Sequence, residues 1–250
     1  MKGELIYVLD FDGVICDSAI ETGATGWKAA QTLWQDIPRS SPSSQLLDDF
    51  RQVRPFLETG YEAILIMCLL QQGYTVDFLC DHYAETLQDL IDSNNLKVAT
   101  LKKLFGETRD RWIEDNLQEW LDMNPLFAGI SDALQRLENN IWYIITTKQE
   151  RFVQQILNAN DISIKAERIY GMESQMSKAH TLLQLIKQHP YQSLIFIEDR
   201  LPTLLNINEN KSLKNIKLQL VSWGYNTERD KQETQKHPIE LIQIGQFITS

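Results

Sequence analysis

Short apolar runs alternate with amphipathic segments along the last part of the chain. Four runs have the length and apolar content of buried strands: IWYIIT (141–146), RIYG (168–171), SLIFIE (193–198) and IKLQLVS (216–222). The segments between them place apolar residues at helical spacing, and strands that alternate with helices form parallel sheets with helical crossovers. Together with LIYVLD (5–10), the pattern predicts an α/β fold with a doubly wound parallel sheet of five strands.

The middle of the chain lacks this alternation and shows helical periodicity instead. Apolar residues recur every three or four positions in four segments, residues 19–34, 60–72, 76–91 and 108–121. The loop-forming run PRSSPSSQ (38–45) separates the first segment from the others. We therefore predict a Rossmann-like core formed by residues 1–15 and 126–250, with an all-helical domain of residues 16–125 inserted after the first strand.

Composition and charge narrow the range of partners. The 24 Lys and Arg residues and the 34 Asp and Glu residues give a net charge of −10, and a surface of that sign repels phosphate backbones and anionic lipids. The longest apolar run, AILIMCLL (63–70), is far shorter than a membrane span. Three cysteines without metal-binding spacing favour a reducing compartment. We expect a soluble cytoplasmic protein without a secretory segment, and neither nucleic acid nor membrane as its partner.

Polar residues stand at the carboxyl ends of the predicted strands, where open parallel sheets bind their ligands. They are Asp10 and Asp12 at the first strand, Thr146 and Thr147 at the second, and Glu198 and Asp199 at the fourth. In an extended chain Asp10 and Asp12 point to the same side, so their carboxylates repel each other unless a cation or a shared proton joins them. Lys178 opens a predicted helix after the capping residue Ser177, where a cation opposes the helix dipole. A residue placed against its local electrostatic preference, as Lys178 is here, tends to mark a functional site.

Together these residues are suited to phosphoryl transfer. Asp10 can attack phosphorus and form an aspartyl-phosphate. Mg²⁺ held by Asp10 and Asp199 would offset the repulsion between the attacking carboxylate and the phosphate, using the oxygen ligands that this ion prefers. Lys178 adds a second cation, and the Thr146 hydroxyl with nearby backbone N–H groups can hold phosphoryl oxygens. Asp12 is then available to protonate the leaving alcohol and later to activate water.

The same residues lie in four sequence motifs that resemble those of a known superfamily. DFDGVICDS, IITTK, SKAHTLL and FIEDRLPTL are similar, in that order, to the motifs of the haloacid dehalogenase-like hydrolases. The resemblance is greatest to the phosphoglycolate-phosphatase-like branch, in which a helical cap follows the first strand, and VSWGY (221–225) resembles the end of that branch's core. The likeness covers residues 1–15 and 126–225, and the inserted domain matches in its placement and helical character.

The resemblance implies a role for each motif residue. It makes Asp10 the nucleophile and Asp12 the general acid and base, with the Asp12 backbone carbonyl on Mg²⁺. It assigns Thr146 and Lys178 to phosphate and Asp199 to Mg²⁺. From their positions at the strand ends, Thr147 is a further candidate for phosphate binding and Asp10 a further candidate for the metal. One position departs from the family pattern, because Thr203 stands where a second acid usually follows the fourth strand. Glu198, where glycine is more common, is a candidate for supplying the missing charge.

The leading hypothesis is a Mg²⁺-dependent phosphatase that acts on a small phosphorylated metabolite. 2-Phosphoglycolate is one candidate substrate, by analogy with the branch alone. The helical cap is expected to close over the site, exclude water and select the substrate, and Arg54 is a candidate contact for a substrate anion. A sugar phosphomutase on the same scaffold is an alternative, and Thr203 motivates another, a catalytically weakened binding or regulatory protein. A nucleotide kinase is disfavoured because no G-x-x-x-x-G-K-[ST] loop is present.

Overall fold

Two compact units make up the chain in the computed structural model. One combines Met1–Asp17 with Pro125–Ser250, and the other is Ser18–Asn124. The structure describes residues 5–137 and 140–247. Residues 1–4, 138–139 and 248–250, which belong to the predicted core ranges, lie outside the described residues.

The unit Ser18–Asn124, all of which is described, is built from helices and contains no strand. Its seven α-helices are α1 (Ala19–Leu33), α2 (Ser44–Val53), α3 (Glu62–Gln71), α4 (Val76–Asp81), α5 (Tyr83–Ser93), α6 (Val98–Asp115) and α7 (Leu117–Asp122). Apolar side chains on α1 to α6 form its core, which includes the whole apolar run of α3. Nowhere in the described part of the molecule is a helix both long enough and apolar enough to cross a bilayer.

Three expectations for this unit need correction. The segment 76–91 is two helices because the chain leaves helical geometry at His82, with φ −122° and ψ 28°. The segment 108–121 is likewise divided, since the Asn116 side chain accepts a hydrogen bond from the Glu119 N–H and caps a new helix, α7. Helix α2 was not predicted. The serine-rich run that reads as a loop also holds its cap, because the Ser43 hydroxyl accepts from the Leu46 N–H.

Close packing and a buried ion pair hold the helical unit together. At Gly26 a β-carbon would lie 2.6 Å from the Ala63 backbone, so α1 and α3 approach each other where neither carries a large side chain. The fully buried Glu21 carboxylate of α1 accepts two hydrogen bonds from Arg109 of α6, at 2.7 and 2.8 Å, and one from the Trp120 indole at 3.0 Å.

The other unit contains a six-stranded sheet in which every pairing is parallel. Its strands are β1 (Leu5–Leu9), β2 (Trp142–Ile145), β3 (Ile169–Tyr170), β4 (Ser193–Glu198), β5 (Lys217–Val221) and β6 (Ile239–Ile242). The order is β3-β2-β1-β4-β5-β6, which is the doubly wound order. The α/β class is therefore confirmed.

The expected count of five strands was wrong because β6 is a sixth. It is an edge strand of four residues that pairs only with β5 among the described strands, and Glu240 within it is exposed. An edge strand is partly exposed, so a short one that contains a charged residue has too few apolar positions to be predicted as a strand from the sequence pattern.

Helices connect the strands of the sheet as expected. The described α-helices of this unit are α8 (Ile130–Arg136), α9 (Glu150–Ala159), α10 (Lys178–Gln188), α11 (Leu201–Glu209) and α12 (Glu228–Glu233). Apolar residues of α10 and α11 pack on β1, β4 and β5 in one buried cluster. In the sheet, Leu9 of β1 is in register with Ile144 of β2 and with Ile197 of β4. The carboxyl ends of these three strands therefore lie side by side, at the point where the strand order reverses.

Candidate active site

Three buried carboxylates meet at the carboxyl ends of β1 and β4. One oxygen from each of Asp10, Glu198 and Asp199 can be chosen so that all three atoms lie within 4.8 Å of one another. The register of the sheet explains the meeting, since the Asp10 N–H continues the β1–β4 ladder by donating to the Ile197 carbonyl at 2.9 Å.

Lys178 contributes a cation to this acidic cluster. It is the first residue of α10, and the preceding Ser177 caps the helix by accepting from the His180 N–H. Its Nζ lies 2.9 Å from Asp10 Oδ2 and 2.7 Å from Glu198 Oε2. When all three carboxylates are ionised, these four groups together carry two formal negative charges (three minus one), which a divalent cation would balance.

Burial governs how these groups hold their protons. Loss of water contact, reinforced by the nearby Glu198 carboxylate, raises the pKa of Asp10 to about 7, although Lys178 acts in the opposite direction. Burial likewise raises the pKa of Glu198, against the effect of Lys178. Burial alone would lower the pKa of Lys178, but Asp10 and Glu198 outweigh it and the pKa lies above its ordinary value. Burial thus disfavours the ionised forms of Asp10 and Glu198, and a cation bound beside them would favour those forms.

One backbone and one side-chain hydrogen bond hold Asp199 in place within the cluster. Its Oδ2 accepts a hydrogen bond from the Tyr225 N–H at 2.9 Å, and its carbonyl accepts from the Asn226 side chain at 2.9 Å. Two glycines permit this approach, because a β-carbon at Gly13 would overlap the Asp199 carboxylate and one at Gly224 would overlap the Asp199 side chain. The segment VSWGY, which the motif resemblance includes, thus supplies direct contacts to the acidic cluster.

A second ion pair lies in the same unit, between Asp12 and Lys148. Lys148 Nζ is 3.0 Å from Asp12 Oδ1. Thr146, at the end of β2, is buried and accepts a hydrogen bond from the Lys148 N–H through its hydroxyl, at 3.1 Å. Thr147 is exposed, so the two neighbouring threonines have different environments.

Lys148 was not among the residues singled out from the sequence, although it closes the quoted motif IITTK. A lysine just after a strand ordinarily has its charge in water. The signal that could have identified it is its position two residues after the strand-end Thr146, in the loop that follows β2, the strand adjacent to β1. Of the two remaining positions that the sequence raised, Arg54 belongs to the helical unit, where its Nη1 donates to the Leu57 carbonyl, and Thr203 is in the first turn of α11.

The donor set of the acidic cluster fits a hard divalent cation. Mg²⁺ takes oxygen ligands and is usually bound through one or two carboxylates together with phosphate oxygens and water. Asp10, Glu198 and Asp199 offer carboxylate oxygens at this spacing, and their charge exceeds that of Lys178. The residues present therefore suit Mg²⁺.

Comparisons with known proteins bear on the fold. No protein-family model matches the chain, and no curated protein matches it. A predicted phosphatase from Clostridium acetobutylicum is 13% identical, with a TM-score of 0.59 over 98% of this chain and 96% of that one. A haloacid dehalogenase-like family hydrolase from Streptococcus pneumoniae is 18% identical, with a TM-score of 0.53 over 96% and 94% of the two chains. A predicted phosphoglycolate phosphatase from Haemophilus somnus is 16% identical, with a TM-score of 0.55 over 91% and 89%.

At these identities the similarity shows the fold. The chain has the fold of haloacid dehalogenase-like phosphatases along nearly its whole length, so the resemblance stated from the four motifs is confirmed at the level of the fold.

Proposed function

We propose that the protein is a Mg²⁺-dependent phosphatase that hydrolyses a small phosphorylated metabolite through an aspartyl-phosphate at Asp10. The observation that carries the proposal is the buried cluster of Asp10, Glu198 and Asp199 around Lys178. A site with this excess of negative charge needs a cation and can use it to bind an anionic phosphate ester.

The side chains divide the reaction between them. An Asp10 carboxylate oxygen bonds to phosphorus while the bond from phosphorus to the ester oxygen breaks, and Asp12 gives its proton to the departing alcohol. In the second half Asp12 takes a proton from water, the water oxygen bonds to phosphorus, and the bond to Asp10 breaks. Lys178 and the Thr146 hydroxyl, with Thr147 as a further candidate, bind the phosphoryl oxygens.

Asp10, Asp199 and the Asp12 backbone carbonyl would hold Mg²⁺. When bound, the ion supplies positive charge that neutralises the phosphate and favours the ionised form of Asp10. Glu198 is the further candidate ligand, and its place in the acidic cluster supports that role. Thr203 has no carboxylate, and Glu198 compensates for the missing acid in this proposal.

The class of substrate rests on the structural neighbours. They include a predicted phosphatase and a predicted phosphoglycolate phosphatase, so small phosphate monoesters are the proposed substrates and 2-phosphoglycolate is one candidate among them.

A panel of phosphate monoesters tests the proposal. Wild type, Asp10→Asn and Asp132→Asn are assayed for phosphate release with Mg²⁺ and with EDTA; Asp132 is an exposed residue of the same unit and serves as the matched control. We expect release by wild type and Asp132→Asn with Mg²⁺ only, and none by Asp10→Asn. Equal release by wild type and Asp10→Asn would refute the role of Asp10. Isomerisation of a sugar phosphate without phosphate release would replace the phosphatase by a phosphomutase.

A further inference from the structure

Lys148 is a buried cation without a role in the reaction proposed above. Its side chain is only 4% exposed, and its Nζ lies 3.0 Å from Oδ1 of Asp12, whose side chain is 21% exposed. Burying an ammonium is costly unless it is paired, so the contact with Asp12 accounts for the charge at this position. It also limits the rotamers that are open to the Asp12 side chain.

The backbone around Lys148 is held at both of its polar groups. Its N–H donates to the Thr146 hydroxyl, and its carbonyl accepts from the Met172 N–H at 3.0 Å. Gly171 allows this second contact, because a β-carbon there would lie 2.5 Å from the Lys148 carbonyl oxygen. Glu150 closes the arrangement by accepting from the Gly171 N–H at 2.8 Å. These hydrogen bonds connect the loop after β2 to the loop after β3. The backbone from which the Lys148 side chain extends is therefore held in place.

We propose that Lys148 is a positioning residue that holds the Asp12 carboxyl group in the place from which it exchanges protons with the leaving alcohol and with water. The inference rests on the proposed phosphatase function, in which Asp12 is the acid and base. Lys148 itself forms and breaks no covalent bond. Its effect is geometric, and a misplacement of a reacting group by about 1 Å costs about 10²-fold in rate.

The dependence on the leaving group separates positioning from a merely structural role. Wild type, Lys148→Met and Lys148→Arg are compared on an alkyl phosphate, whose alcohol needs a proton to leave, and on 4-nitrophenyl phosphate, whose leaving group is stable as an anion. We expect kcat/KM of Lys148→Met to fall about 10²-fold on the alkyl ester and less than about 10-fold on the nitrophenyl ester. Lys148→Arg keeps the ion pair and is expected to recover most of the loss.

A double-mutant cycle with Asp12→Asn provides a second readout. If Lys148 acts through Asp12, adding Lys148→Met to Asp12→Asn has little further effect on kcat/KM for the alkyl ester. Equal losses of Lys148→Met on both esters, or fully additive losses in the double variant, would overturn the inference. An inactive wild type would instead refute the proposed function, so the two failures can be told apart.

A lysine–carboxylate pair in the same unit provides the control for loss of a lysine charge. Lys231 contacts the exposed Glu228 on α12 at 2.7 Å, and Lys231→Met removes this solvent-accessible ion pair outside the proposed site. We expect Lys231→Met to behave as wild type on both esters. Should Lys148→Met fail to fold, Lys148→Gln, which keeps a hydrogen-bond donor near Asp12 without the charge, takes its place, and the same preferential loss on the alkyl ester is expected.

Discussion

At the scale of single residues, Gly13 shows how closely the turn after β1 is fitted to the acidic cluster. Its φ of +83° lies in the left-handed region, and a β-carbon there would overlap the Asp199 carboxylate. The turn and the carboxylate are therefore packed against each other, and a methyl group has no place between them.

We expect Gly13→Ala to weaken Mg²⁺ binding and to lower the free energy of unfolding by about 1–3 kcal/mol. Gly129→Ala is the matched control, because Gly129 has almost the same φ, +82°, but open space where the β-carbon would lie. Chemical denaturation gives the stability of both variants, and calorimetric titration gives their Mg²⁺ affinity. If both variants bound Mg²⁺ equally well, the proposed contact with Asp199 would not matter for the metal.

The buried Glu21 predicts a large local effect on stability. Glu21→Gln removes the ionised carboxylate that accepts two hydrogen bonds from the Arg109 guanidinium inside the helical unit, and breaking such a buried pair costs about 3–5 kcal/mol. Glu107→Gln is the control, because its partner Lys103 is at 3.7 Å and both side chains are exposed, so little measurable change is expected. Equal small effects of the two substitutions on denaturation would contradict the prediction.

The sequence identified part of the charged network, and physical chemistry explains which part. Asp10 and Asp199 were found because they stand at the carboxyl ends of predicted strands, where open parallel sheets bind ligands, and Lys178 because a cation at a helix start opposes the helix dipole. Lys148 breaks none, since a lysine after a strand is ordinary. The parallel pairing of β1 with β2 brings the segment after β2, which holds Lys148, next to the segment after β1, which holds Asp12. A contact of this kind depends on the side-chain path in three dimensions, which the sequence pattern does not contain.

At the scale of elements, α1 and α3 are packed more closely than helix propensity alone would favour. Gly26 lies within α1, where alanine is intrinsically better by about 1 kcal/mol, yet its β-carbon would be 2.6 Å from the Ala63 backbone. At Gly26, therefore, the close packing of α1 on α3 disfavours the alanine that helix propensity favours. The contact is with the Ala63 backbone, which can move away from an added methyl group less easily than a flexible side chain could.

We expect Gly26→Ala to lower the free energy of unfolding by about 1–3 kcal/mol, because the added methyl group overpacks the contact. Gly106→Ala, in the interior of α6 with open space around it, should instead raise it by about 0.5–1 kcal/mol. Denaturant titration of the two variants measures both signs. A stabilising Gly26→Ala would show that α1 and α3 can separate without cost.

The elements that the apolar pattern predicted best are the buried central strands. The run SLIFIE corresponds to β4 at both ends, and its residues after the first are buried. The failures occurred where local polar chemistry decided the structure: Asn116 caps a new helix inside a periodic segment, and Ser43 starts α2 inside an apparent loop. Periodicity measures burial, so it does not report these hydrogen bonds.

At the scale of the whole molecule, the surplus of buried negative charge predicts that a divalent cation stabilises the fold. We expect Mg²⁺ to raise the melting temperature, by an amount that corresponds to about 2.7 kcal/mol when the ion is at 100 times its dissociation constant. Asp199→Asn should lose most of this effect, and EDTA should reverse it in wild type. Matched ionic strength with NaCl is the control, and an equal rise with NaCl would refute specific binding at the acidic cluster.

The most direct measurement is mass spectrometry of the protein quenched in acid during turnover of a phosphate ester with Mg²⁺. We expect the peptide that contains Asp10 to carry a base-labile phosphoryl group in wild type, and the group to be absent from Asp10→Asn and from samples with EDTA. Phosphate release by wild type without a phosphoryl group on that peptide, or a phosphoryl group on another residue, would contradict covalent catalysis by Asp10.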